Sequence, residues 1–553
     1  MEFNETKELT NQKTKERSSV HSFIRSFVPW SHAFLMAGAV LFFLVTSYFS
    51  FQLQNPYSSP DETAQAYFIQ QYATTGTLRV AEPLNAVVEN IIHPRSMNVF
   101  DHDLVPGSFI GLILIYGWIA WLLGMWVVPF LTPLVATFGA VAFFSIVRFF
   151  FSDRVARWSF FILLLHPAYV YYSSRSLLSA NVFFISMLMI GVAVLLTHHE
   201  RWTAWAIGGV SIGASLIART TEAGWVLGVF FLVILYFRQR IHVRHLFIFF
   251  FAVIFAFLPV LAHQALLYGH ALTTGYAQGG ESIVPLISPW RFSSPVRAII
   301  SAFVLPFGFD AANILKNAYE YLVLLFWWLT IPALLGIVIM IRKNERTRER
   351  KNSSSVSWFI GSFVFIALWL VVYYGSSTFR DSPLPSPTIG TAYVRYWLPL
   401  FVLSIPFMAI AFQSITTRWF QTCVVTACAL FSIASTFVLT QESLWWMRAS
   451  TRKQRVIAVE ILTIVPSNGV ILTESSDKLF FPSRRVMQFD PKEQLKIERL
   501  LARVAERVPV YFYTSLAPRG IEYLNTRHLA KYGVAWEDAK KIGALTLYKL
   551  QRQ

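Results

Sequence analysis

The sequence predicts a polytopic α-helical membrane protein of about 11–13 transmembrane helices, followed by a small extracytoplasmic α/β domain. Three observations carry this fold class. The 553 residues are 55% hydrophobic and only 14% charged, with a mean hydropathy of +0.50, a composition that suits lipid rather than water. Apolar runs of about twenty residues, the length that crosses a bilayer, recur along most of the chain. Beyond residue 444 such runs stop, and short strand-like and helical patterns take over.

In chain order, residues 1–30 are expected to be a cytoplasmic tail. Lys7, Lys13, Lys15, Arg17 and Arg25 precede the first apolar run, Ala33 to Phe51, and flanking basic residues stay on the inner side of a membrane. The tail is mixed and polar, and the run after it has full spanning length, so no cleavable leader is read here. A membrane domain is placed at 31–443. Its first outer loop, about 52–105, opens with Asn55-Pro-Tyr-Ser-Ser-Pro-Asp-Glu-Thr. Ser59 suits an N-cap, Pro60 the first helical position, and Asp61 and Glu62 the positive end of a helix dipole. A capped first turn is therefore the plain reading of the acidic pair. The helix it starts is expected to be amphipathic, from Asp61 to Thr75, and to end at Gly76.

Further apolar runs cover about 108–128, 130–150, 158–173, 180–197, 203–217, 223–237 and 246–267, then about 320–341, 358–374, 397–412 and 420–439. The basic stretches Arg238–His245 and Arg342–Lys351 mark inner loops, which puts a long loop, about 268–318, and a shorter one, 375–396, outside. Four crossings between 105 and 197 would leave His198-His199-Glu200-Arg201 outside, against the later loops. One of those runs is expected to be broken or re-entrant, with the polar stretch Ser173 to Ser179 as the candidate break.

The α/β domain is placed at 444–553. Gly469 to Glu474, Val508 to Thr514 and Ala544 to Leu550 read as strands, and Pro491 to Arg507 as a helix. From Arg448 onward, 19 Lys and Arg stand against 10 Asp and Glu, a net +9. Such a surface is either a solvated basic face or one that attracts anionic headgroups or an acidic polymer.

Several function classes fall away. The net charge of +17 lies largely in short loops between apolar runs, so it reads as an orientation signal rather than a nucleic-acid footprint. No Walker or GxGxxG loop is present, so no nucleotide cofactor is expected. Cys423 and Cys428 share one apolar run and read as small buried hydrophobes. His198-His199, and His242 with His245, read as solvated turn residues rather than zinc ligands. Tyr169 to Tyr172 and Trp445-Trp446 read as interfacial anchors more than as sugar platforms. Asp101-His102-Asp103 has metal-friendly residue types but reads first as a polar loop tip before Pro106.

Chemistry is to be sought where polar groups crowd the outer membrane boundary, because ionisable groups near hydrocarbon are costly. Asp61, Glu62, Asp101, His102 and Asp103 lie in the first loop; Arg219 and Glu222 lie at an outer turn. Tyr276 and Glu281 join them from the long loop, and Arg380, Arg395 and Tyr396 from the later spans; Arg175 belongs with them if the candidate break faces out. A lipid-linked sugar carries its phosphate at this depth, and phosphate leaves readily once cations neutralise it. Transfer of the sugar then requires one general base to take the acceptor's proton. A glycosidase would instead need two carboxylates.

These stretches resemble the GT-C glycosyltransferases, in particular the branch that uses dolichyl- or polyprenyl-phosphate sugars, such as protein O-mannosyltransferases and aminoarabinose transferases. The resemblance rests on Ser59-Pro-Asp-Glu-Thr-Ala-Gln-Ala, Thr74-Thr-Gly76, Ser173 to Ser179, Ala218-Arg-Thr-Thr-Glu222 and Arg395-Tyr-Trp-Leu-Pro399, with organisation matching over roughly 30–440. It implies that Asp61, with Glu62 as rival, is the catalytic base, and that Arg395 contacts the carrier phosphate. Tyr396, Arg219, Glu222, Arg175, His93, Asp101, Asp103 and Tyr276 are expected to bind substrate. The chain departs from the aminoarabinose branch in lacking Lys-Pro-Pro after the first-loop helix; His93-Pro-Arg stands there instead. No cofactor is implied with certainty, although some relatives use a divalent ion.

The expected function is an inverting glycosyltransferase of the plasma membrane, passing a sugar from a polyprenyl-phosphate donor to a protein, lipid or polysaccharide hydroxyl on the extracytoplasmic face, with the 268–318 loop as lid. Two rivals stand beside it. A transporter or flippase would show related halves and mid-membrane charges, and a non-catalytic cell-envelope assembly protein would account for the C-terminal domain but not for the first loop.

Overall fold

The structure, a computed structural model, describes residues 33–54, 56–178, 180–238, 241–278, 305–346, 353–379, 386–489 and 494–553. Glu281, Arg380 and most of the expected lid lie outside the described residues, as does the basic N-terminal tail.

Backbone groups in lipid must be satisfied within the chain, so each apolar run folds as a helix. Seven helices among the described residues are long and apolar enough to cross a membrane: Ala33–Gln52, Met125–Phe150, Asn181–His198, Thr220–Phe237, Val243–Tyr268, Ser355–Gly375 and Arg418–Phe437. A further pair, Ala311–Leu324 and Trp327–Arg342, bends by 96° and counts as an eighth if it is one span. Gly111–Leu123, Trp202–Ala218 and Leu398–Ser414 are shorter apolar helices. Counting them all gives eleven, the lower edge of the expected range.

The expected irregularity before residue 197 is present, in two places. The run 108–128 stops at Gly124, whose φ of +91 takes it out of the helix. The run 158–173 divides at His166 into Asp153–Leu165 and Pro167–Ser173, where Pro167 opens the second piece. Ser173, Ser174, Arg175 and Ser176 then form a buried polar turn. Tyr169 to Tyr172 are buried as well, so they are not interfacial anchors. His245 is buried and stacks on Trp205 at 5.7 Å, and His199 stacks on Phe237 at 4.3 Å; neither is a solvated turn residue. Cys423 is exposed rather than buried, and both cysteines are free.

The segment after the first span begins with the helix Pro60–Thr75, ended by Gly76 with φ +72. Its extent matches expectation but its faces do not. Glu62, Thr63, Ala64 and Gln65 are buried in succession, so the first turn is enclosed rather than amphipathic. A three-stranded antiparallel sheet follows, ordered β1 (Val80–Ala81), β3 (Asp103–Pro106), β2 (Met97–Phe100). Asp101 and His102, with φ of +50 and +71, form the two-residue turn between β2 and β3, the geometry that favours Asp in hairpins.

The C-terminal part starts with the helix Leu444–Ile464 and holds a five-stranded sheet. Strands β4 (Val470–Thr473), β5 (Arg485–Gln488) and β6 (Val510–Thr514) are parallel; β8 (Leu545–Arg552) and β7 (Val534–Ile542) add on antiparallel, giving the order β5-β4-β6-β8-β7. The helix Gln494–Ala505 buries Ile497, Leu500, Leu501 and Val504 at helical spacing against it. Val88, Ile91 and Ile92 of the loop after the first span belong to the same core. Sharing an apolar core makes the loop and the domain one packed unit on one side of the helices.

Candidate active site

The helix Pro60–Thr75 separates the roles of the two acidic residues. Ser59 caps it, accepting from the Asp61 amide, while the Glu62 carboxylate accepts from the Ser59 amide at 3.1 Å. This reciprocal cap satisfies otherwise orphaned amides and turns Glu62 inward. There Arg175 donates to both its oxygens, Nε to Oε1 at 3.1 Å and an Nη to Oε2 at 2.7 Å. Arg175 also donates to Ser58 Oγ at 2.7 Å and to the Tyr171 hydroxyl at 3.0 Å. Both partners are buried, and the Glu62 carboxylate is taken up by its cap and by Arg175.

Asp61 points the other way, into a cavity of about 700 Å³. Its side chain is 38% exposed. One oxygen accepts from Ser96 Oγ at 2.6 Å and the other lies 3.8 Å from Arg395. Arg95, Arg175, Arg395 and Lys478 give the cavity four basic groups; Glu442 is its second carboxylate. Glu442 is already engaged by the Thr388 hydroxyl and the Gly390 amide. Tyr171 and Trp446 contribute aromatic wall.

Arg395 sits at the end of the short helix Ala392–Tyr396. Its guanidinium lies 5.0 Å from the Tyr396 ring, and Arg219 lies 4.9 Å from the same ring. Tyr374 stacks on Tyr396 at 4.5 Å. Arg219 and Glu222 are buried behind this stack and paired with each other at 3.0 Å. Asn181 accepts from Arg219, and Trp225 Nε1 donates to Glu222 at 2.6 Å. Neither lines the cavity. They back Tyr396, apart from this cavity's lining residues. Tyr276, 37% exposed, packs edge-on against Phe109 at 5.0 Å. Protein packed around its hydroxyl raises its pKa, and the Asp61 carboxylate raises it further, against the pull of Arg219 and Arg395. Tyr276 therefore belongs to the Asp61 neighbourhood.

Three expected residues lie elsewhere. His93 lines a separate cavity of about 220 Å³ between the first loop and the C-terminal domain, with Glu82 and Arg485. Asp101 and Asp103 both face Arg79 at 3.8 Å, and Arg79 also donates to the carbonyls of Leu266 and Leu267. Their charge ties the hairpin to the end of the Val243–Tyr268 helix. A divalent ion does not fit there, because Arg79 already supplies the cation. Among the described residues no three His, Cys, Asp or Glu come together as metal ligands.

Sequence reasoning missed Ser96, Glu442 and Lys478. Arg95 stands two residues after His93, which that reasoning did flag. Lys478 reaches the cavity because Asp477, 1% exposed, accepts from the Arg95 amide at 2.8 Å and from its guanidinium at 2.9 and 2.6 Å. Lys478 then donates to the Ser58 carbonyl, one turn before Asp61. Only the tertiary fold joins positions 420 residues apart.

No protein-family model and no curated protein matches the sequence. Among solved structures, the chain is similar to ArnT from Cupriavidus metallidurans bound to undecaprenyl phosphate, at 10% identity and a TM-score of 0.50, over 94% of this chain and 97% of that one. The apo state of the same protein matches at 12% identity and a TM-score of 0.50, over 95% and 98%. The apo oligosaccharyltransferase of Archaeoglobus fulgidus, at 12% identity and a TM-score of 0.47 over 86% and 69%, is too loose a likeness to argue from. At these identities the likeness speaks to architecture alone: the chain has an ArnT-like fold, a bundle of membrane-length helices followed by a small sheet domain.

Proposed function

We propose that this protein is an inverting glycosyltransferase that passes a sugar from a polyprenyl-phosphate carrier to an acceptor hydroxyl, with Asp61 as general base. One observation supports the reading above the others. Asp61 faces a cation-lined cavity and, among the described residues, is held by a hydroxyl and a long contact to Arg395, whereas Glu62 is consumed by its cap and by Arg175.

The chemistry follows from that arrangement. The acceptor O–H gives its proton to Asp61 as its oxygen bonds to the anomeric carbon. The bond from that carbon to the phosphate oxygen breaks, its electron pair stays on the phosphate, and polyprenyl phosphate departs. Arg395 stands where it can neutralise the growing charge, and such preorganised cations stabilise a transition state strongly. Attack and departure on opposite faces invert the anomeric centre. Basic residues before the first span and in the 238–245 and 342–351 loops favour an orientation with this site outside. The ArnT structure bound to undecaprenyl phosphate makes the lipid phosphate a reasonable donor class to try first.

The test incubates purified protein with a panel of polyprenyl-phosphate sugars and measures released polyprenyl phosphate. Release by the wild type, lost in Asp61→Asn, is the expected result. No release from any donor, or full release by Asp61→Asn, would remove the proposal.

A further inference from the structure

We propose that Lys478, carried by the C-terminal domain, is a ligand of the donor's phosphate, so that this domain completes the active site. The inference rests on the glycosyltransferase reading above and extends it to a residue outside the membrane helices.

The cavity cations differ in what they have left to offer. Arg175 is committed to Glu62, and Arg95 to Asp477, each through more than one contact. Both are neutralised by buried carboxylates. Arg395 donates to the Tyr396 hydroxyl at 3.4 Å and stands 3.8 Å from Asp61. Lys478 is the cavity cation that makes no ion pair with a carboxylate among the described residues; it donates to a neutral carbonyl, that of Ser58. A half-buried ammonium whose hydrogen bond goes to a neutral carbonyl is incompletely satisfied, and a phosphate oxygen would supply the direct anionic partner it lacks. Ser58 and Asp61 lie within one turn of chain, so Lys478 and Arg395 approach the base from two different parts of the protein. A phosphate between them would hold its sugar next to Asp61.

The position of Lys478 is built, not incidental. Asp477 anchors Arg95 beside it, and the first loop shares an apolar core with the sheet whose β4–β5 connection, the helix Asp477–Phe480, carries both Asp477 and Lys478. The groups that face its amine are Arg95 and Arg175, which disfavour its charge, and Asp477 and Glu62, which favour it. Burial outweighs them all and lowers its pKa to about 8. Its affinity for an anion should therefore fall as pH rises through about 8.

The experiment measures binding of undecaprenyl phosphate to full-length protein in detergent, by intrinsic tryptophan fluorescence, for the wild type, Lys478→Ala and Lys478→Arg. A charge-assisted hydrogen bond is worth about 1.5–3 kcal/mol, which corresponds to roughly ten- to a hundredfold in Kd. Weakening of that size in Lys478→Ala, recovery in Lys478→Arg, and unchanged melting temperatures support the proposal. Wild-type affinity should drop above pH 8, while that of Lys478→Arg stays flat; this comparison decides the matter even if Lys478→Ala folds poorly. Equal affinities in all three proteins would overturn the role of Lys478 alone. Absence of binding in the wild type would instead overturn the glycosyltransferase reading beneath it. Ready displacement by inorganic phosphate at similar concentration would overturn the assignment to the lipid carrier.

Discussion

Glu62 and Arg175, 113 residues apart, meet in a two-point ion pair sealed inside the protein, 3.1 and 2.7 Å long. Their side chains are 3% and 6% exposed. Removing one partner of such a pair leaves an unpaired buried charge and costs about 3–5 kcal/mol. Glu62→Ala should accordingly lower the melting temperature of the purified protein by several degrees and reduce its yield. Wild-type thermal stability in this variant would show that the pair is not structural.

Asp61, its sequence neighbour, should behave in the opposite way. Its carboxylate touches Ser96 and approaches Arg395 but closes no buried pair. Asp61→Asn should melt close to the wild type while its rate of polyprenyl-phosphate release falls by about 10²–10⁴, the range expected for loss of a general base. Loss of fold together with loss of rate would place Asp61 with Glu62 as a structural residue.

The contrast between these two residues marks where sequence reading succeeds and stops. Ser59, Pro60 and the acidic pair announce a helix start from local rules alone, and the apolar runs announce spans by length. The strands β4, β6 and β8 and the helix Gln494–Ala505 show their periods in the sequence. Strand β7, Val534–Ile542, was missed because its outward residues are charged and its register shifts near Asp538. The choice between Asp61 and Glu62 depends on Arg175, and the cavity depends on Lys478; both arrive by tertiary packing. Asp101, Asp103, Arg219 and Glu222 do not line the cavity for one reason: polar residues near the span ends can be satisfied by each other. Arg79 and Tyr396 show that they are.

Arg95 and Asp477 form the latch between the loop after the first span and the C-terminal domain. Asp477 is almost fully buried and accepts from the backbone and guanidinium of Arg95. The exposed Glu89–Arg499 pair nearby adds little, since surface pairs contribute about 0–1 kcal/mol. Asp477→Ala should loosen the contact and speed hydrogen exchange of residues 93–97, with the β4 and β6 amides still protected. Unchanged exchange in the loop would mean that the shared apolar core alone holds the two together.

Lys478 also has a consequence for stability against pH. An unfolded lysine titrates near 10.5, whereas burial, with Arg95 next, lowers this one to about 8, against Asp477 and Glu62. Between about pH 8 and 10.5 the unfolded chain holds a proton that the folded chain has released, so the stability contributed by this group rises with pH across that window. The melting temperature of the wild type minus that of Lys478→Met should therefore increase from pH 8 to 10.5. A difference that stays constant over that range would show an amine titrating at its ordinary value.

Gly336 controls how closely two membrane helices approach. It lies in the helix Trp327–Arg346, and a Cβ built on it would collide with the backbone carbonyl of Phe407 in Leu398–Ser414. In lipid, where apolar burial drives little association, such close backbone contact through small residues holds helices together. The carbonyl cannot swing aside as a flexible side chain would, so the helices must separate. Gly336→Ala should destabilise by about 1–3 kcal/mol, the usual cost of overpacking. Leu398–Ser414 follows directly on Arg395 and Tyr396, so a displaced helix would also shift the cation nearest Asp61. A lowered melting temperature with reduced polyprenyl-phosphate release is expected, whereas Gly361→Ala, whose added Cβ meets nothing within 4 Å, should leave both unchanged. Equal behaviour of the two variants would show that the helix contact does not set the position of Arg395.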